Sequence, residues 1–108
     1  MNWQFEQKRI YSTDEKGRLI AETTFHQNEN GETNIDHTYV DPSLRGQGIA
    51  ANMMAVVAEH LRQKGAKVTA SCSYANLWFK RNKKTYSDII SENMFNEVLA
   101  CSISAKHN

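Results

Sequence analysis

Residues 37–50 read HTYVDPSLRGQGIA, and this stretch decides the fold. A run of β-branched and aromatic residues ends at Val40. Asp41-Pro42 closes it, because proline offers no ladder donor and holds the residue before it extended. Gly46 and Gly48 then stand immediately ahead of an apolar stripe, Ile49, Met53, Val57 and Leu61, that recurs every four residues and marks a helix. Glycines let the backbone turn sharply, and the unpaired N–H groups of a helix's first turn converge on an anion, to which Arg45 adds a bidentate cation. The spacing predicts a phosphate-binding loop over residues 45–50, with a tight turn and a flexible helix start as the plainer alternative.

Outward from that loop, the apolar stripe predicts a helix over 46–64. Arg62 and Lys64 suit the negative end of its dipole, and Gly65 is placed to cap it. A short strand over 67–71 follows, so the helix is a crossover that pairs two strands in parallel. Upstream, turn clusters at 13–17 and 28–31 divide the chain into three strands of an antiparallel meander, over 3–11, 18–27 and 32–40. Alternation puts Leu19, Ala21, Thr23 and Phe25 on one face of the second strand; in the third it sets Ile35, His37 and Tyr39 against Asn34, Asp36 and Thr38. Downstream, residues 74–83 read as a second helix and 86–90 as a short turn of structure. Met94, Phe95, Val98 and Leu99 have helical spacing in the tail. The expected fold is α/β (α+β), a mixed sheet of about four strands made from the meander plus one parallel crossover, with two or three helices. One domain covers residues 1–92, with a partly helical tail over 93–108.

The composition bounds the partners. A chain of 108 residues fits one domain, and 40% hydrophobic with 23% charged residues is near the globular average. Thirteen Lys plus Arg against 12 Asp plus Glu give a net charge of +1, which removes the broad electrostatic case for nucleic acid or an anionic membrane. No apolar run approaches a membrane span or a signal-peptide core, so a cytoplasmic protein is expected. Cys72 and Cys101 are too few for a disulfide scaffold and match no metal spacing, so no metal site is expected. The basic run at 80–84, KRNKK, reads as a solvated helix end, with a contact to a ligand phosphate or a nucleic acid as the alternative.

Two other phosphate loops fail the test. The dinucleotide fingerprint needs its loop directly after the strand and an acidic residue about 20 positions on, whereas residues 41–45 intervene and nothing acidic occurs between Glu59 and Asp88. A P-loop needs glycine followed by Lys and Ser or Thr, which is missing. What remains is Arg, two residues, glycine, one residue, alanine, after a strand ending Val-x-Pro. In Val40, Pro42, Arg45, Gly48 and Ala50 the sequence resembles the GCN5-related N-acetyltransferases. HTYVDPSLRGQGIA, a helix, KVTASCSYANLWFKRN and TYSDII together look like the small single-domain subfamily with a cysteine near the acyl site, over roughly residues 5–92.

That resemblance implies acetyl-CoA across the ends of two parallel strands that splay apart. The backbone of Tyr39 and Val40 would pair with the pantetheine arm, and N–H groups of Arg45, Gly46, Gln47, Gly48, Ile49 and Ala50 would hold the pyrophosphate. Asn76, in the first turn of the next helix, is a further candidate for the arm, with a local hydrogen bond as its alternative. Cys72, between the short strand and the next helix, either accepts the acetyl group covalently or lines the acyl pocket. His37 is the candidate base toward an amine, and Tyr74 and Tyr86 are candidate acids toward the departing thiol. Packing is the competing reading for all four. The implied function is an acetyl-CoA-dependent N-acetyltransferase acting on a small-molecule or protein amine, as a monomer or homodimer. The alternative is a CoA or acyl-CoA binding module without turnover, favoured by the lack of the N-terminal helices that build the acceptor site in larger family members.

Overall fold

The computed structural model describes residues 1–95, and the tail expected beyond them lies outside the described residues. Five strands form one sheet in chain order: β1 (Gln4–Phe5), β2 (Arg9–Thr13), β3 (Leu19–Gln27), β4 (Thr33–Val40) and β5 (Val68–Ala70). The first four pair antiparallel and β4 pairs β5 in parallel, the meander and crossover expected. The additional strand arises because the run over 3–11 folds back on itself. Gln4 opposes Tyr11 and Phe5 opposes Ile10 around a turn closed by the Glu6 N–H donating to the Arg9 carbonyl at 2.8 Å. That turn contains neither glycine nor proline, so nothing in the local sequence marks it.

Helix α1 (Ile49–Gln63) buries Met53, Met54, Val57, Ala58 and Leu61 against Ala21, Phe25 and Ile35 of the sheet. It begins at Ile49 rather than 46, because Gly46 and Gly48 take left-handed backbone angles, φ 84° and 75°, that no helical residue adopts. Helix α2 (Ser73–Arg81) buries Ala75, Asn76 and Phe79; it stops at Asn82, whose side-chain amide donates to the Trp78 carbonyl at 2.8 Å. The short α3 (Lys83–Tyr86) follows at once. Tyr86 is 8% exposed among Trp78 and Phe79, with the Arg62 guanidinium 4.8 Å over its ring, so the packing reading of this tyrosine holds.

The face assignment for β4 needs correction. Phe25 opposes Ile35 but Thr24 opposes His37, so Asp36 is an extra residue in a β-bulge. One inserted residue reverses the alternation beyond it. Ile35 therefore shares the α1 face with Thr38 and Val40, which oppose Thr23 and Ala21, while His37 and Tyr39 lie on the opposite face with Thr24 and Glu22. The bulge is held by the Asp36 carboxylate, which accepts from the Thr24 hydroxyl and lies 2.7 Å from His26 Nδ1. Burial works to raise the Asp36 pKa, but the hydrogen bonds from Thr24 and His26 outweigh it and leave the group below its ordinary value.

Candidate functional site

The end of β4, the glycine loop and the start of α1 come together as the sequence requires. Asp41, only 6% exposed, organises the loop. Its carboxylate accepts from the Ser43 N–H at 2.9 Å and the Ser43 hydroxyl at 2.8 Å, capping a 3₁₀ turn over Pro42–Leu44, and it lies 3.1 Å from Arg18 Nη1. Its own N–H donates to the Ile20 carbonyl at 2.8 Å. The Ser43 backbone bond first, then its hydroxyl, hold the carboxyl below the usual range, with Arg18 and Arg45 adding to them against burial. The loop thus hangs from a buried anion tied to β3.

Arg45 is exposed, and its Nε donates to the Val40 carbonyl at 3.3 Å. Gly48 is the N-cap of α1, and among the described residues no side chain caps the first turn. The N–H groups there are left for an external acceptor, at the positive end of a 15-residue helix. Val40, Leu44, Arg45, Gly46, Gly48 and Ile49 line a hollow of about 230 Å³ that Tyr74 of α2 completes. Tyr74 is 39% exposed, and burial of its other side raises its pKa against Arg81, so its hydroxyl stays protonated at neutral pH. Gln47 is exposed on the same loop.

β4 and β5 separate beside this loop. They pair only through Thr33, Asn34 and Ile35 opposite Val68, Thr69 and Ala70. The Ser71 and Cys72 N–H groups then both donate to the Ile35 carbonyl, at 3.1 and 3.2 Å, and the chain turns into α2. The β5-side edge of β4 from the bulge to Val40 carries no β5 partner, which leaves main-chain groups near Tyr39 and Val40 open toward the gap. Cys72, half buried and the N-cap of α2, sits at the mouth of this gap with its Sγ 3.5 Å from the Thr38 hydroxyl.

The structure therefore brings Tyr39, Val40, residues 45–50, Tyr74 and Cys72 around one loop and gap. His37 is exposed on the other sheet face from Thr38. Asn76 is 4% exposed and its amide donates to the Ala70 carbonyl at 3.3 Å and the Met94 carbonyl at 3.0 Å, which ties α2 to the strand end. Thr38 was missed by sequence reasoning: its contact with Cys72 spans 34 positions, and the bulge conceals its face. Among the described residues no cluster of three or more metal-ligating side chains occurs, and no helix is long and apolar enough to cross a membrane.

Comparison with known proteins bears on the same elements. The family described as GCN5-related N-acetyl-transferase matches residues 9–89. The solution structure of a GCN5-like protein from Staphylococcus aureus superposes with a TM-score of 0.68 at 32% identity, over 83% of this chain and 87% of that one. Nourseothricin acetyltransferase shares the fold at a TM-score of 0.51 and 18% identity, over 68% of this chain and 46% of its own. A predicted acetyltransferase from Clostridium acetobutylicum, crystallised with acetyl-CoA, does so at 0.50 and 18%, over 68% and 55%. This chain spans about half the length of those last two proteins.

Proposed function

This chain belongs to the GCN5-related N-acetyltransferase family, and from that premise we propose that it binds acetyl-CoA and transfers the acetyl group to an amine, with Cys72 as the first acceptor. The observation that carries the proposal is the convergence of the uncapped α1 N-terminus, the Arg45 guanidinium and the open edge of β4 beside a half-buried thiol. The pyrophosphate has donors from residues 45–50 and a cation from Arg45. The pantetheine arm has main-chain partners at Tyr39 and Val40. On this reading residues 1–92 are the acetyltransferase domain and 93–108 an appended tail.

Chemically, the Cys72 sulfur forms a bond to the thioester carbonyl carbon, the bond from that carbon to the CoA sulfur breaks, and the proton from Sγ ends on the departing CoA thiol. Backbone N–H groups at the β4 edge stabilise the oxyanion, and the Tyr74 hydroxyl, kept protonated and lining the hollow beside the loop, relays that proton by giving its own to the CoA sulfur and taking the one from Sγ. A neutral amine then attacks the acetyl-Cys72 carbonyl and restores the thiol. His37 would serve as base only to an acceptor arriving from the opposite sheet face. Asn76, held by the Ala70 and Met94 carbonyls, supports the strand end rather than the ligand on this reading.

The test is intact-mass analysis after incubation with acetyl-CoA, followed by a screen of alkyl and peptide amines. One acetyl group mapped to Cys72 and discharged by an amine is the expected result. Saturable binding with no adduct and no acetylated amine would instead assign a CoA-binding module.

A further inference from the structure

Few buried side-chain polar atoms in the described residues lack a partner, and one is chemically out of place. The Thr23 hydroxyl is fully buried in the α1 face of β3 and has no hydrogen-bond partner. An unpaired buried hydroxyl destabilises a fold, and valine has nearly the same shape without that cost. Thr23 directly opposes Thr38 across the β3–β4 ladder on the same face, where paired side chains have Cβ atoms about 5 Å apart. Thr38 in turn contacts Cys72 Sγ at 3.5 Å. Two threonines and the thiol therefore form a polar row across β3, β4 and the end of β5, set between the apolar Ala21, Phe25 and Ala70.

We propose that this row is an oxyanion device for acyl transfer through Cys72, with Thr38 as its donor and Thr23 as the group that supports Thr38; the inference rests on the covalent reading above. In the free thiol the Thr38 hydroxyl is paired with the Cys72 sulfur at 3.5 Å, either atom being able to donate, and the Thr23 hydroxyl has no partner among the described residues. When the Cys72 sulfur bonds to the acyl carbon, its proton leaves for the CoA sulfur. Thr38 then turns to donate its O–H to the carbonyl oxygen, which carries the developing negative charge. The same rotation presents the Thr38 oxygen to the Thr23 hydroxyl, which gains the acceptor it lacks at rest. The unpaired hydroxyl is thus a feature of the resting state that the acylation step satisfies.

The experiment compares Thr38→Val, Thr38→Ser and Thr23→Val. Four quantities are read: CoA binding by calorimetry, melting temperature, the rate of Cys72 acetylation by acetyl-CoA from peptide-mapped mass spectra, and the rate of Cys72 alkylation by iodoacetamide. Alkylation develops no oxyanion, so it separates loss of the device from a displaced or occluded thiol. Thr38→Val is expected to slow acetylation about 100-fold, the effect of removing one oxyanion donor, with binding and alkylation unchanged and the rate largely restored in Thr38→Ser. Thr23→Val is expected to slow acetylation roughly tenfold while melting no lower than the wild type. Acetylation at the wild-type rate in both valine variants would overturn the inference alone. Equal slowing of acetylation and alkylation would overturn it in favour of a packing role. A wild-type chain that binds CoA but never acquires an acetyl group at Cys72 would overturn the covalent reading and this inference with it.

Discussion

Gly48 and Gly17 form a matched pair for testing the loop. Both take left-handed angles, φ 75° and 83°, and a Cβ built on either meets no atom within 4 Å. Alanine at each position therefore incurs the same kind of cost, backbone strain of about 1–2 kcal/mol without a clash. For a domain of this size that corresponds to a fall in Tm of about 4–8 °C per kcal/mol, expected in both variants. Their surroundings differ. Gly17 closes the β2–β3 turn, its N–H donating to the Asp14 carbonyl at 3.0 Å, whereas Gly48 lines the hollow at the start of α1. On the proposed reading a methyl group at Gly48 occupies the space through which the phosphate approaches the backbone, and loss of one charge-assisted hydrogen bond there is worth about 1.5–3 kcal/mol. Calorimetry should record a Kd for CoA weakened roughly 10- to 150-fold in Gly48→Ala and unchanged in Gly17→Ala, at a temperature where both are folded. Equal affinity in the two variants would refute the assignment of this loop to the phosphates.

Other perturbations separate binding from folding. Arg45→Ala removes an exposed guanidinium whose one side-chain hydrogen bond among the described residues is to the Val40 carbonyl, so CoA affinity should fall about tenfold or more while the urea midpoint stays put. Leu61→Ala empties a core position that is 2% exposed and should lower unfolding free energy by about 2–5 kcal/mol in urea titrations without changing the Kd of the folded fraction. Stability should fall in two stages as pH is lowered. Burial first, then Lys64, depresses the His60 pKa, so the contribution of the neutral ring is present above its unfolded value of 6.5 and is lost as pH falls through the lower folded value. The Ser43 backbone bond to Asp41 and the Arg62 side-chain bond to Asp88 depress those carboxyls, so their contributions are present above 3.8 and vanish as pH falls through the folded values. Urea midpoints in His60→Gln that still show the first stage would contradict its assignment.

What the sequence discloses and what it hides follow from range and regularity. The glycine loop and α1 are local: two left-handed residues, a proline stop and a four-residue apolar period lie within one short segment, and each has its own chemical signature. The meander is legible in β3, where Ala21, Thr23 and Phe25 are buried in strict alternation. Regularity fails at Asp36, an inserted residue with neither the glycine nor the proline that often marks a bulge, and every face assignment downstream of it reverses. The fold-back between β1 and β2 is similarly unmarked, being closed by Glu6 and Arg9, residues common on any surface. The row of Thr23, Thr38 and Cys72 is illegible because it joins three elements across the sheet and depends on that bulge. Asn76 shows the converse: a helix-start amide with a chemically suggestive position whose hydrogens are taken by two main-chain carbonyls.

The central claim, that the α1 N-terminus and its loop hold the pyrophosphate of acetyl-CoA, is tested most directly by calorimetric titration of acetyl-CoA into the wild-type chain and into Gly48→Trp. A Cβ at Gly48 meets no atom within 4 Å and opens onto the hollow lined by Val40, Arg45 and Tyr74, while the left-handed angle there adds the strain set out above, so circular dichroism first establishes that the variant is folded. Saturable binding to the wild type that disappears in folded Gly48→Trp is the predicted result. No binding to the wild type, or binding that the tryptophan leaves intact, would contradict it.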